Sequence, residues 1–207
     1  MPTCTLESPA PSLASLRRFD RFELKYAIRA AAAERLKADL APYVHVDPHA
    51  GSDGAYRLDS LYYDTHDRRC YWEKIEGIKL RRKLRIRWYD TGEPLGPESH
   101  VFVEIKQRMN RVTQKRRVLL PYRDALLLCN GRESPDHDPR DAATVQEIAA
   151  MLDGYDLTPS VITTYTREAL VGGDVDAGLR ITFDRDIRYR VGDVALHSPT
   201  PGIPMLT

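Results

Sequence analysis

Six basic side chains and no acidic one occupy positions 79–87, where the chain reads Lys79-Leu-Arg-Arg-Lys-Leu-Arg-Ile-Arg87. Five of the six, Lys79, Arg81, Lys83, Arg85 and Arg87, are odd-numbered. Side chains alternate sides on an extended strand, so these five share one face while Leu80, Leu84, Ile86 and Trp88 share the other. The sorting recurs in Glu104, Lys106 and Arg108, in Lys115 with Arg117, and in Arg21, Glu23 and Lys25. Same-face neighbours lie about 6.5–7 Å apart, inside the Debye length of about 8 Å at physiological salt. At an effective dielectric of about 20, each like-charged neighbouring pair costs about 2 kcal/mol. The chemistry that uses such rows is the gripping of a polyanion, with interleaved carboxylates such as Glu23 and Glu104 neutralising part of the charge. One such row reads as the solvated face of an antiparallel strand. Four rows, each backed by apolar residues that helices can cover, point instead to cationic faces turned inward around a channel.

Composition narrows the partners. Thirty-one Lys and Arg against 30 Asp and Glu give a net charge of +1, so no whole-molecule field recruits nucleic acid or an anionic membrane; the charge is segregated locally instead. Single-strand binders interleave stacking aromatics with their basic residues, and Trp88 and Phe102 stand outside the main basic row, so nucleic acid is not the expected partner. Neither G-x-x-x-x-G-K-[ST] nor G-x-G-x-x-G occurs, which leaves phosphate binding to Arg and Lys side chains. Cys4, Cys70 and Cys129 are widely spaced and read as reduced bystanders. The histidines, such as His45, His49 and His66, show no metal-type pairing and are expected in loops. No apolar run approaches the roughly 20 residues that cross a bilayer, and the N-terminus lacks an apolar signal region, so a cytoplasmic protein is expected.

The elements that must hold these residues can be read from periodicity. Residues 1–16 mix Pro, Ser, Thr and Ala and read as a disordered leader, with one domain over 17–207. Strands are expected over 18–26, 56–63, 80–89, 101–108, 111–120, 161–170 and 179–189. A Pro/Gly/Asp-rich loop is expected over 45–54, and a tight turn at Met109-Asn110. Helices are expected over 30–40, over 122–129 stopped by Asn130-Gly131, and over 141–152 stopped by Gly154. Long antiparallel strands with few helices indicate an α+β chain dominated by one sheet or barrel.

The strings Phe22-Glu-Leu-Lys-Tyr26, Leu84-Arg-Ile-Arg-Trp-Tyr89, Phe102-Val-Glu-Ile-Lys106, Thr164-Tyr-Thr-Arg167 and Leu179-Arg-Ile-Thr-Phe-Asp184 together resemble the vacuolar transporter chaperone (VTC) domain of the triphosphate tunnel metalloenzyme, or CYTH-like, superfamily. The resemblance implies an antiparallel β-tunnel with a few flanking helices. In it ATP and Mn²⁺ or Mg²⁺ bind, and the γ-phosphate passes to a growing inorganic polyphosphate chain. It implies phosphate-binding roles for Lys25, Arg85, Arg87, Lys106, Lys115, Arg167 and Arg180, with Arg85, Arg87, Lys106 and Arg167 closest to the chemistry. Tyr165 would stand beside the nucleotide, and Glu104 and Glu23 would serve as metal ligands or as ion-pair partners of the cations. The family continues into a further strand whose glutamate coordinates the metal. Here Ser198-Pro-Thr-Pro-Gly-Ile-Pro204 reads as loop and no substitute glutamate follows, so a domain lacking its last strand and open along one edge is expected. Hydrolysis of a triphosphate and non-catalytic polyphosphate binding are the alternatives. Arg85→Ala and Arg87→Ala are both expected to abolish binding without loss of stability, since the cations repel one another.

Overall fold

The computed structural model describes residues 19–21, 23–48, 54–90, 92–110, 112–173 and 178–205. The leader, and with it Cys4, lies outside them. Among the described residues nine strands form one antiparallel sheet: β1 (Phe19–Arg21), β2 (Val44–Val46), β3 (Ala55–Asp64), β4 (Leu80–Tyr89), β5 (His100–Met109), β6 (Val112–Pro121), β7 (Thr158–Gly172), β8 (Arg180–Arg190) and β9 (Ile203–Pro204). Their order is β1-β6-β5-β4-β3-β7-β8-β9, with β2 also paired to β7. The sheet is open, because among the described residues no pairing joins β1 to β9. The described residues also hold four α-helices, α1 (Ala30–Leu40), α2 (Arg69–Ile75), α3 (Tyr122–Leu126) and α4 (Ala142–Tyr155), with a π-helical turn over Leu127–Gly131 and a 3-10 turn over Pro139–Asp141. The α+β class with one dominant antiparallel sheet is therefore what forms.

One face of the sheet makes the core. Leu61, Tyr63, Leu84, Ile86, Val101, Val103, Ile105, Val118 and Leu120 are buried there against Tyr122, Ala125, Leu128, Val145, Ile148, Met151 and Leu152. In α4 the buried positions 145, 148, 151 and 152 recur at helical spacing, which turns one stripe onto the sheet. The expected apolar parity of β4 and β5 thus holds at Leu84, Ile86, Trp88, Val101, Val103 and Ile105, whereas Leu80 at the start of β4 lies beyond the core and is exposed. Cys70 and Cys129 are free and buried, and burial pushes both thiols up to about 12, which leaves them inert.

Several expectations are corrected. The first strand stops at Arg21, and residues 23–29 follow without regular structure, so neither Glu23 nor Lys25 lies on a strand. Helix α1 buries no residue and covers none of the core, because its alanines have little surface to bury. His45 belongs to β2 and His100 opens β5, whereas loops were expected for both. Helix α4 runs through Gly154 to Tyr155 and ends at Asp156, whose φ of 49° takes the left-handed stop instead. Ile203–Pro204 pairs with Arg188 and Tyr189 as an edge strand rather than a loop.

Candidate functional site: the cationic face of the sheet

The face opposite the core is where the basic rows meet. Register across β4, β5 and β6 sets Arg81, Arg108 and Thr113 side by side, then Lys83, Lys106 and Lys115, then Arg85, Glu104 and Arg117, then Arg87, Phe102 and Leu119. On the next strand Tyr62 stands opposite Arg85 and Ser60 opposite Arg87, and β7 adds Tyr165 and Arg167. The odd-position row of 81–87 is therefore one wall of a shared face, as expected.

Its centre is enclosed. Glu104 is 0% exposed, Arg87 5% and Arg85 9%. The Arg85 guanidinium donates to Glu104 Oε2 through Nε at 2.7 Å and to the Tyr62 hydroxyl through Nη1 at 2.8 Å. Lys115 Nζ approaches Glu104 Oε1 at 3.3 Å. Burial alone would raise the Glu104 carboxyl, but Arg85, Lys115 and Arg87 outweigh it and hold it down at about 2. Burial pushes Lys115 down to about 8 against the pull of Glu104. Burial also raises the Tyr62 phenol, yet the charges of Arg85 and Arg87 and the hydrogen bond from Arg85 win and bring it to about 8.

Arg87 is held differently. Its Nε donates to the Ser60 hydroxyl at 3.1 Å and its Nη2 to the Tyr165 hydroxyl at 2.9 Å. No carboxylate among the described residues pairs with it. A guanidinium almost removed from water, hydrogen-bonded among the described residues to two hydroxyls and reached by Glu104 only through space, shares that one carboxylate with Arg85 and Lys115, so its charge is only partly offset, which is costly unless an anion completes the shell.

Toward β8 the pattern changes. Arg167 makes a two-point contact with Asp184, Nε to Oδ1 at 2.7 Å and Nη2 to Oδ2 at 2.8 Å. Burial opposes the Arg167 charge, but Asp184 and Tyr165 raise its pKa above the usual guanidinium value. Arg180 pairs with the buried Asp47 at 2.6 Å and donates to the Tyr56 hydroxyl at 3.3 Å. Lys106 meets Glu23 at 2.7 Å, and Lys25 meets the same carboxylate at 3.4 Å while its side chain stays 74% exposed. Burial raises the Glu23 carboxyl, and the two lysines overcome that and lower it to about 2.

The structure thus gathers Arg85, Arg87, Glu104, Lys106, Lys115 and Tyr165 closely. Arg167 and Arg180 share the face but carry their own carboxylates. Sequence reasoning missed Tyr62 and Ser60, although their even parity on β3 was readable, and it missed Asp47 and Asp184, for which only register gives the signal. The face is also more aromatic than expected: Phe102 faces Arg87 across the strands, Tyr89 packs edge-on to Phe102 at 5.8 Å, and Arg117 lies over the Phe102 ring at 4.2 Å.

Glu104 and Glu23 do not fit a resident metal. Among the described residues no three His, Cys, Asp or Glu side chains form a group able to hold one, and each of these two carboxylates is already shared between two cations.

The VTC domain family model matches residues 20–201. A vacuolar transporter chaperone complex subunit 4 from Trypanosoma cruzi (strain CL Brener) is 25% identical over 86% of this chain and 26% of its own length. The subunit of the same description from Trypanosoma brucei brucei is 26% identical over 67% of this chain and 20% of its own. The chain therefore spans about a quarter or less of the curated relatives it matches. Among solved structures, a candidate adenylate cyclase from Bacillus halodurans aligns with a TM-score of 0.41 and 15% identity, covering 83% of this chain and 69% of that one. A candidate adenylyl cyclase from Hippeastrum, described as having a dominant triphosphatase activity, aligns with a TM-score of 0.36 and 11% identity over 82% and 71% of the two chains. Among the described residues no helix is long and apolar enough to cross a membrane.

Proposed function

The chain belongs to the VTC domain family, and from that premise we propose that its cationic face binds ATP and inorganic polyphosphate and passes the γ-phosphate of ATP to the growing chain. One observation carries this reading: Arg87, 5% exposed, is met by the hydroxyls of Ser60 and Tyr165 and by no carboxylate among the described residues. Phosphoryl transfer asks little covalent work of a protein. It needs the two oxygens in line and the charge on the transferring phosphoryl group offset by donors fixed beforehand. Arg85 and Arg87 supply such donors, and Tyr62, Ser60 and Tyr165 fix the planes of their guanidinium groups. Lys106, Lys115 and Arg167 flank them. Mn²⁺ or Mg²⁺ enters this reading as counter-ion of the triphosphate, since Glu104 and Glu23 are each committed to two cations.

The test is polyphosphate formation by the purified chain from ATP with Mn²⁺ or Mg²⁺. Product with the native chain and none with Arg87→Ala is expected; no product with the native chain overturns the transfer step. The committed carboxylates favour a second reading, a polyphosphate-binding module without turnover. Tight binding in EDTA with no product under any metal would establish that reading in place of the first.

A further inference from the structure

The rungs nearest the β5–β6 turn are not needed to hold a triphosphate at Arg85 and Arg87, yet they gather Arg81, Arg108, Lys83, Lys106 and Lys115. Arg81 stands directly opposite Arg108, Lys83 opposite Lys106, and Lys106 opposite Lys115. Like charges in directly paired positions weaken a sheet. Glu23 serves Lys106 and Glu104 serves Lys115, but among the described residues no carboxylate pairs with Arg81, Lys83 or Arg108. Arg81 Nη1 donates to the carbonyl of Ile78 at 3.0 Å and Arg108 Nε to that of Asn110 at 3.0 Å, which anchors each guanidinium by one edge and neutralises neither.

The other face of the same hairpin shows what the chain does when cations are only structural. Arg82 donates to Gln107 Oε1 at 2.9 Å, Arg116 donates to the same oxygen at 3.3 Å, and Arg116 also pairs with Glu147 at 2.9 Å. Partners are thus supplied on the outside of the hairpin, whereas on its inside, among the described residues, carboxylates reach Lys106 and Lys115 but not Arg81, Lys83 or Arg108. In the opposite direction along the face, the rung of Arg87, Phe102 and Leu119 turns apolar.

The geometry points to a second anion subsite, formed by Arg81, Lys83 and Arg108, that takes the far phosphates of a linear condensed phosphate chain as it runs from Arg85 toward the turn at Asn110. This rests on the reading that the Arg85 and Arg87 rungs hold phosphate. Successive rungs are about 6.5–7 Å apart, so a triphosphate seated at Arg85 and Arg87 leaves the Arg81–Arg108 rung empty, and a longer chain fills it. The subsite is a length gauge: it adds affinity only for chains long enough to reach Lys83 and then the Arg81–Arg108 rung beyond it, and it sets the direction in which they extend.

The experiment compares tripolyphosphate with a longer polyphosphate of defined length by calorimetry, on the native chain, on Arg81→Ala/Lys83→Ala/Arg108→Ala and on the outer-face control Arg82→Ala. Lys83→Gln alone, with thermal melts of every variant, guards against misfolding. The native chain is expected to bind the longer polymer at least about tenfold tighter per site than tripolyphosphate, the scale of one or two charge-assisted hydrogen bonds. The triple variant should lose that advantage while keeping tripolyphosphate affinity, Lys83→Gln should lose part of it, and Arg82→Ala none. Equal affinity of the native chain for both ligands, or equal weakening of both in the triple variant, overturns the subsite and leaves the phosphate-binding reading standing. A native chain that binds neither ligand overturns that reading itself.

Discussion

The two halves of the cationic face solve the same electrostatic problem in opposite ways. In the β7–β8 half each arginine brings its own acid, Arg167 with Asp184 and Arg180 with Asp47. In the β4–β6 half one carboxylate, Glu104, serves both Arg85 and Lys115, and Arg87 is left to hydroxyls. Inward parity of an arginine therefore does not by itself mark a ligand-binding cation. What separates the halves is the number of cations each acid must serve, one apiece for Asp184 and Asp47 but two ion pairs apiece for Glu104 and Glu23, and the half with the deficit is the one that an anion completes.

The largest expected effect breaks the buried pair. Arg85→Ala leaves a fully buried carboxylate with Lys115 as its one remaining ion pair among the described residues and only the through-space charge of Arg87 beside it, and about 3–5 kcal/mol of unfolding free energy should be lost in denaturant titration. This corrects the expectation from sequence that removing either arginine is harmless to the fold, because Glu104 was not known to depend on Arg85. Arg85→Met with Glu104→Leu should recover most of the loss; a single variant as stable as the native chain would mean that Glu104 is not buried in solution. Next in size, Arg87→Ala should cost about 100-fold in tripolyphosphate affinity with no fall in melting temperature, since it removes a charge that no carboxylate among the described residues pairs with directly.

A pH titration separates the halves without mutation. The Tyr62 phenol and the Lys115 ammonium both sit at about 8 in the fold, below their ordinary values near 10. Between pH 8 and 10 the unfolded chain holds protons that the folded chain has released. The ligand-free protein should therefore gain stability as pH rises through that window and lose the gain as pH falls back through 8. Anion affinity should move the other way, because the face acquires a phenolate and loses an ammonium. A flat melting temperature from pH 7 to 10 would contradict the enclosure of these two groups. Asp184→Asn should release Arg167 from its acid and raise tripolyphosphate affinity a few-fold, the smallest of these effects; a fall would show that Asp184 aids binding.

Much of this was legible before the fold was known. The alternation holds at the centre of β4 and β5, because a one-residue slip would carry Leu84, Ile86, Val103 and Ile105 out of the core, so parity located both faces although Arg82 and Arg116 on one side and Phe102 and Leu119 on the other break it. What sequence withheld depends on distant partners. Helix α2 is seven residues long, and its first amides are met by the Asp64 carboxylate, which accepts from Cys70 N at 2.8 Å and from Tyr71 N at 3.2 Å, a cap placed too far upstream to read as one. Strands β2 and β9 are two or three residues long and exist by pairing with β7 and β8. Within the site, Asp184 becomes the partner of Arg167 only through the register of β7 on β8, which shifts between Thr164 and Thr166. Tyr62 takes its acidity from Arg85 and Arg87, which come from another strand.

The central claim is that the only partly offset charge of Arg87, and not the arginine count of the face, is what binds condensed phosphate. Calorimetric titration of tripolyphosphate in EDTA into the native chain, Arg87→Ala and Arg180→Ala tests it directly. The account predicts tight binding by the native chain, about a 100-fold loss for Arg87→Ala, and less than about a tenfold loss for Arg180→Ala, whose charge Asp47 already meets. Equal losses in the two variants, or native affinity in Arg87→Ala, would contradict it.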